Sequence, residues 1–177
     1  EYVVDSSIIA DPVGVMGTNV EGEFLDVIAK NNLRTNIDTV FGNVGVSIAE
    51  CLISPLQLAQ NVLMDAEKRS GCALVDFGAE TTTVVVYKNN IVRYLATIPL
   101  GFNNINKDLA TLPIDEAETE DVKLKYGDAC QDLEASDDGD SQFYTTSDGR
   151  QIEVSTIKNV IEARITEIVA NVSNQIV

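Results

Sequence analysis

Two places in the sequence hold side chains whose types and spacing could do chemistry. The first is Asp76-Phe77-Gly78-Ala79-Glu80-Thr81-Thr82. A run of apolar residues from Cys72 leads into it, and the β-branched run Thr82-Thr83-Val84-Val85-Val86 leads out, so it reads as a turn between two strands. A glycine turn lets backbone amides approach an anion closely, threonine hydroxyls add hydrogen bonds, and an aspartate beside them can hold a water on Mg2+. On spacing alone a plain β-turn is the commoner outcome of such a stretch. The second place is Glu120 with Lys123, three residues apart on one helix face, which by residue type alone is a surface ion pair.

The rest of the composition narrows the chemistry. There is no histidine in the 177 residues, which removes serine-type triads and most zinc sites and leaves carboxylates, hydroxyls, lysines and backbone amides. Cys51, Cys72 and Cys130 share no metal-ligand spacing, and their odd number argues against a disulfide framework. Cys51 and Cys72 sit in apolar, strand-like contexts and read as small core residues. A net charge of −16 with only 12 Lys and Arg excludes a general nucleic-acid binder. No apolar run reaches the length of a membrane span, and the simplest expectation is a soluble cytoplasmic protein. The chain opens on Glu1 inside the strand-like Tyr2-Val3-Val4, so it reads as a fragment of something longer.

The elements that must position these residues follow from periodicity and punctuation. Asp11-Pro12-Val13-Gly14 is a turn, and 15–29 reads as extended chain broken near Gly17 or Gly22. Leu33, Ile37, Val40 and Phe41 recur at helical spacing behind Asn31-Asn32, and Gly42 and Gly45 end that helix. A short strand is expected over 46–53. Ser54-Pro55 then opens a helix whose buried stripe is Leu56, Ala59, Val62, Leu63 and Ala66. Three consecutive strands follow, the last two joined through Asn89-Asn90. A short helix runs over 104–110 with Asn103 or Asn104 as cap, Pro113 breaks the chain, and Asp115-Glu116 opens a helix that Gly127 closes. Asp132 to Asp140 reads as an acidic exposed loop. Residues 142–146 and 151–154 flank the hairpin turn Asp148-Gly149, and Ser155 caps a final helix of about six turns with Ile157, Val160, Ile161, Ile165, Ile168, Val169, Val172 and Ile176 on its apolar face.

Val75-Asp76-Phe77-Gly78-Ala79-Glu80-Thr81-Thr82-Thr83 resembles the second phosphate loop of the actin-like ATPase superfamily, usually Asp-x-Gly-Gly-Gly-Thr-Thr and then an acid. Three more blocks narrow the resemblance: Asp11 to Gly17, Ile91 to Ala110, and Val122-Lys123-Leu124-Lys125-Tyr126-Gly127. In this order they resemble the FtsA cell-division family over most of the chain.

That resemblance implies a mixed α/β fold: an actin-like (ribonuclease H-like) ATPase fragment carrying part of an FtsA-type, SHS2-like inserted subdomain. It implies that residues 1–47 belong to the inserted subdomain, 48–70 to the last strand and helix of the first lobe, 71–103 to the phosphate-binding start of the second lobe, and 104–177 to that lobe's accessory subdomain. ATP and Mg2+ are the implied cofactors. Asp76 is expected near the metal, Gly78, Ala79, Glu80, Thr81 and Thr82 at the phosphates, and Glu120 with Lys123 as the ribose clamp. Ala79 and Glu80 stand where the family has glycines, and Thr83 where it has an acid. A Cβ at 79 restricts the backbone and Glu80 puts negative charge beside a phosphate site. Ser54 stands where many actin-like proteins orient the attacking water, so at most weak ATPase activity is expected, and none from a fragment. The implied role is to tether FtsZ filaments to the inner face of the cytoplasmic membrane at the division site, with self-association into filaments, other division proteins as partners, and membrane contact through a C-terminal helix absent from this chain. A nucleotide-free actin-like scaffold and a PilM-like pilus-assembly protein are the alternatives.

Overall fold

The computed structural model describes residues 1–177 apart from 10, 29, 128–141 and 177. The expected acidic loop and Cys130 lie outside the described residues. Tight two-residue turns organise the strands. β1 (Tyr2–Val4) and β2 (Ser7–Ile9) pair antiparallel through Asp5-Ser6, both at positive φ, and β3 (Val20–Gly22) pairs with the other edge of β1. The Asp5 carboxylate accepts the amides of Thr18 at 3.0 Å and Asn19 at 2.9 Å, which ties the returning chain to the turn. Those hydrogen bonds, Asn19 first, hold its carboxyl below the usual range.

A second sheet has the order β4-β5-β6, from Cys72–Phe77, Thr82–Lys88 and Ile91–Ile98. Asn89 and Asn90, at φ 55° and 61°, form the two-residue turn between β5 and β6, the conformation that Asn tolerates better than most residues and that matches strand twist. A third ladder pairs β7 (Phe143–Thr145) with β8 (Gln151–Glu153), with Gly149 at φ 84° in the turn that the Asp-Gly pair predicts.

The helices are α1 (Asn31–Asn43), α2 (Ser54–Val62), α3 (Asp65–Ser70), α4 (Asn103–Leu109), α5 (Thr119–Tyr126) and α6 (Val154–Ile176). Several of their boundaries differ from the sequence expectation. Residues 46–53 form no strand; an apolar, β-branched run becomes a strand only where a ladder partner meets it. The single helix expected after Ser54 is two. Leu63 turns extended at ψ 135°, and the Glu67 carboxylate accepts the Met64 amide at 2.8 Å, capping a new start. Ser54 is the first helical residue rather than the cap, and α6 begins one residue before Ser155. Of the stripe expected on α2, Ala59 alone is buried. Cys51 is exposed, with Arg34 Nη1 at 2.8 Å from its sulfur, so it is not a core residue.

The chain divides into two compact units, Glu1–Cys72 with Val85–Tyr94, and Ala73–Val84 with Leu95–Val177. In the first, α1 buries none of its residues, and its apolar stripe of Leu33, Ile37, Val40 and Phe41 is exposed. The second holds the well-packed core: Ile105 and Leu109 of α4, Val122 of α5, and Ile157 and Ile161 of α6 close around Ile114 and Ile152. Burying so many branched side chains fixes α4 against α5 and α6. A two-point pair from Arg164 of α6 to Asp108 of α4, at 2.5 and 2.9 Å, locks the same packing from its edge.

Candidate functional site

The turn between β4 and β5 is held from beneath by its own backbone. Gly78 N donates to Thr81 O at 2.9 Å, closing the loop. The carbonyls of Gly78 and Ala79 then accept the amides of Phe102 and Asn103 at 3.0 and 2.8 Å, tying the loop to the start of α4. Outside the strand ladders, the amides of Ala79, Glu80 and Thr81 donate to no other backbone group among the described residues. Three successive free donors on a turn form the kind of concavity that attracts an anion. Gly101 makes this approach possible, because a Cβ there would lie 2.3 Å from the Ala79 oxygen and 2.6 Å from that of Gly78. Thr82 plays a different part from the one expected. It is fully buried, and its hydroxyl donates to Leu100 O at 2.8 Å, fixing the strand exit.

The side chain of Glu80 leans onto α4. Its carboxylate accepts from Asn103 Nδ2 at 2.8 Å and from Lys107 Nζ at 3.3 Å. These contacts, the Asn103 hydrogen bond foremost, hold the carboxyl below the ordinary glutamate value. Glu120 of α5 is engaged in the same way. It accepts from Lys123 Nζ and from Asn106 Nδ2, each at 2.7 Å, and its pKa is lowered chiefly by the Lys123 contact.

Glu80 and Glu120 line one cavity of about 490 Å³, whose walls include Asn103, Asn106 and Lys107 of α4, Glu116 just before α5, and Thr119 at the start of α5. Asp115 caps the single 3-10 turn, Glu116–Glu118, that leads into α5, by accepting the Ala117 amide at 2.9 Å. Glu80 of the loop and Glu120 of the Glu120–Lys123 pair, 40 residues apart in sequence, are brought to the same cavity by the packing of α4 on α5. The sequence reading missed Asn106 and Lys107, and gave Asn103 only a capping role. Their signal is polar residues at i, i+3 and i+4 on a short helix whose opposite face is Ile105 and Leu109.

The residues present fit a nucleotide. A cavity of this size with few convergent polar groups suits a small ligand. Asn106 Oδ1 is buried with no partner, an acceptor left for a ligand's hydroxyl or amino group. Asp76 is exposed on β4 and is not among the cavity-lining residues. No group of three or more acidic, cysteine or histidine side chains among the described residues could hold a metal by itself. A Mg2+ here would depend on phosphate oxygens, with one carboxylate and waters, as Mg2+ commonly does.

Of solved structures, MreB5 of Spiroplasma citri bound to ADP superimposes with a TM-score of 0.62 at 15% identity, covering 84% of this chain and 48% of that one. The same protein bound to AMPPNP gives 0.63 at 16% identity. The fold is that of the actin-like ATPases. A family model described as cell division protein FtsA matches residues 73–174. FtsA of Bacillus subtilis is 31% identical over 99% of this chain, FtsA of Porphyromonas gingivalis 29% over 98%, and FtsA of Escherichia coli 25% over 99%. The chain belongs to the FtsA family of cell-division proteins. It spans 36% to 43% of the length of these relatives.

Proposed function

We propose that the full-length protein binds ATP with Mg2+ at the cavity bounded by the 78–81 loop, α4 and α5, and uses it as a conformational cofactor while tethering FtsZ filaments to the inner face of the cytoplasmic membrane during septation. The nucleotide part is supported by one convergence: Glu80, within the turn whose amides at 79–81 are free, and Glu120, which pairs with Lys123, line the same cavity as Asn106, whose side-chain oxygen has no partner. In that reading the loop amides hold phosphate, Glu120 and Lys123 meet the ribose hydroxyls, and Asp76 holds a water on the metal. Membership of the FtsA family supports the division role, FtsZ as partner and self-association into filaments. Bound metal would supply charge neutralisation at the phosphates. This chain's residues would supply orientation.

Titration calorimetry of the full-length protein with Mg-ATP tests the nucleotide part, and saturable binding is the expected result. Capture of the protein by the C-terminal peptide of FtsZ, but not by a short pilus-protein peptide, tests the partner. A second reading, a scaffold that works through protein contacts without nucleotide, is favoured by Ala79 and Glu80 in a loop that the family builds with glycine. Absence of Mg-ATP binding would select it.

A further inference from the structure

We propose that Glu80 is a built-in competitor for the nucleotide: its carboxylate holds Lys107 and Asn103 as an internal anion, and a phosphate must take those donors from it. The proposal rests on the nucleotide reading of the same cavity. Its starting point is the charge of the lining. Lys107 is the one cation among the cavity-lining residues, against the carboxylates of Glu80, Glu116 and Glu120. That lysine is already paired with Glu80 at 3.3 Å. An entering phosphate therefore meets three acids and a lysine that is already engaged, and like charges a few ångströms apart repel.

The backbone leaves the side chain as the part that can yield. Gly78 and Ala79 carbonyls are bonded to the amides of Phe102 and Asn103 at 3.0 and 2.8 Å, so the loop cannot swing Glu80 away without losing both bonds. The Glu80 side chain is 62% exposed and that of Lys107 65%, and an ion pair so open to water is weak enough to exchange partners. Rotation of Glu80 toward solvent frees Lys107 and Asn103 for a phosphate, with no proton transferred and no covalent bond changed. Nucleotide occupancy would then be linked to the release of the Glu80 side chain from α4, with the backbone bonds of the loop kept.

The test compares the full-length wild type, Glu80→Gln, Lys107→Gln and the double variant by titration calorimetry with Mg-ATP. All substituted side chains are exposed, and matching thermal melts confirm equal folding. Glu80→Gln is expected to bind roughly three- to tenfold tighter, the size of an exposed ion pair and a nearby like charge. In the Lys107→Gln background that gain should shrink to the smaller part that comes from removing a like charge near the phosphate. In the wild type, the Asn103 side-chain amide resonance should move on addition of Mg-ATP as its acceptor changes. Binding by the wild type with no gain in Glu80→Gln, or a gain undiminished without Lys107, overturns the competition while leaving the nucleotide reading standing. Absence of binding by the wild type and Glu80→Gln alike overturns both.

Discussion

The side-chain amide of Asn106 donates to Glu120 at 2.7 Å, while the carbonyl oxygen of the same side chain is buried and has no partner. An unsatisfied buried acceptor costs stability that a ligand donor can restore. Asn106→Leu removes the orphan and the donor together while keeping the volume. We expect Mg-ATP affinity to fall about five- to tenfold, the scale of one lost hydrogen bond, with the thermal midpoint unchanged or raised. Wild-type affinity in this variant would remove Asn106 from the site.

Gly101 is where the loop and α4 touch backbone to backbone. In Gly101→Ala the new methyl would lie 2.3 Å from the Ala79 oxygen, an atom with no freedom to give way. Overpacking of this kind costs about 1–3 kcal/mol. Urea unfolding should show that loss, accompanied by weakened nucleotide binding. A variant as stable as the wild type would mean that the loop shifts at no cost.

The parts of the fold set by local chemistry were legible in the sequence. Asn89-Asn90 and Asp148-Gly149 mark their hairpins, and Asp115 caps its helix. Ile157, Ile161, Ile168 and Val172 keep a helical period because one face of α6 is buried. What was not legible depends on distant partners. Residues 46–53 have strand composition but no ladder, Leu63 leaves the helix because Glu67 caps a new one, and Cys51 meets Arg34 instead of a core. The site divides the same way. The loop and the Glu120–Lys123 pair were singled out by family resemblance, spacing alone giving a plain turn and a surface ion pair, whereas Asn106 and Lys107 come beside Glu80 and Glu120 only through the packing of α4 on α5.

The two units should respond differently to truncation of an apolar side chain in this chain. Leu109 is fully buried in the α4–α5–α6 core, whereas Val40 on α1 is 63% exposed. Leu109→Ala is expected to cost about 2–5 kcal/mol and Val40→Ala less than about 0.5 kcal/mol. Chemical denaturation of both variants checks the contrast, and equal losses would contradict the assigned core.

Acid titration separates the cavity's carboxylates from ordinary ones. Glu80 and Glu120 have folded-state pKa values below the ordinary one, through Asn103 and Lys107 for the first and Lys123 and Asn106 for the second. A depressed carboxyl contributes stability that is present above the unfolded value of about 4.3 and lost as pH falls through the lower folded value. Carbon-detected NMR of the side-chain carboxyls should give both midpoints below that of an exposed glutamate. Midpoints at or above it would mean that the two contacts do not persist in solution.

The account turns on the 78–81 loop and the α4–α5 wall serving one ligand. Amide-resolved NMR of the full-length protein on addition of Mg-ATP measures that directly. The account predicts saturable shifts of the Ala79, Glu80 and Thr81 backbone amides together with the Asn106 side-chain amide, all with one dissociation constant. Shifts confined to other residues, or none at millimolar Mg-ATP, would contradict it.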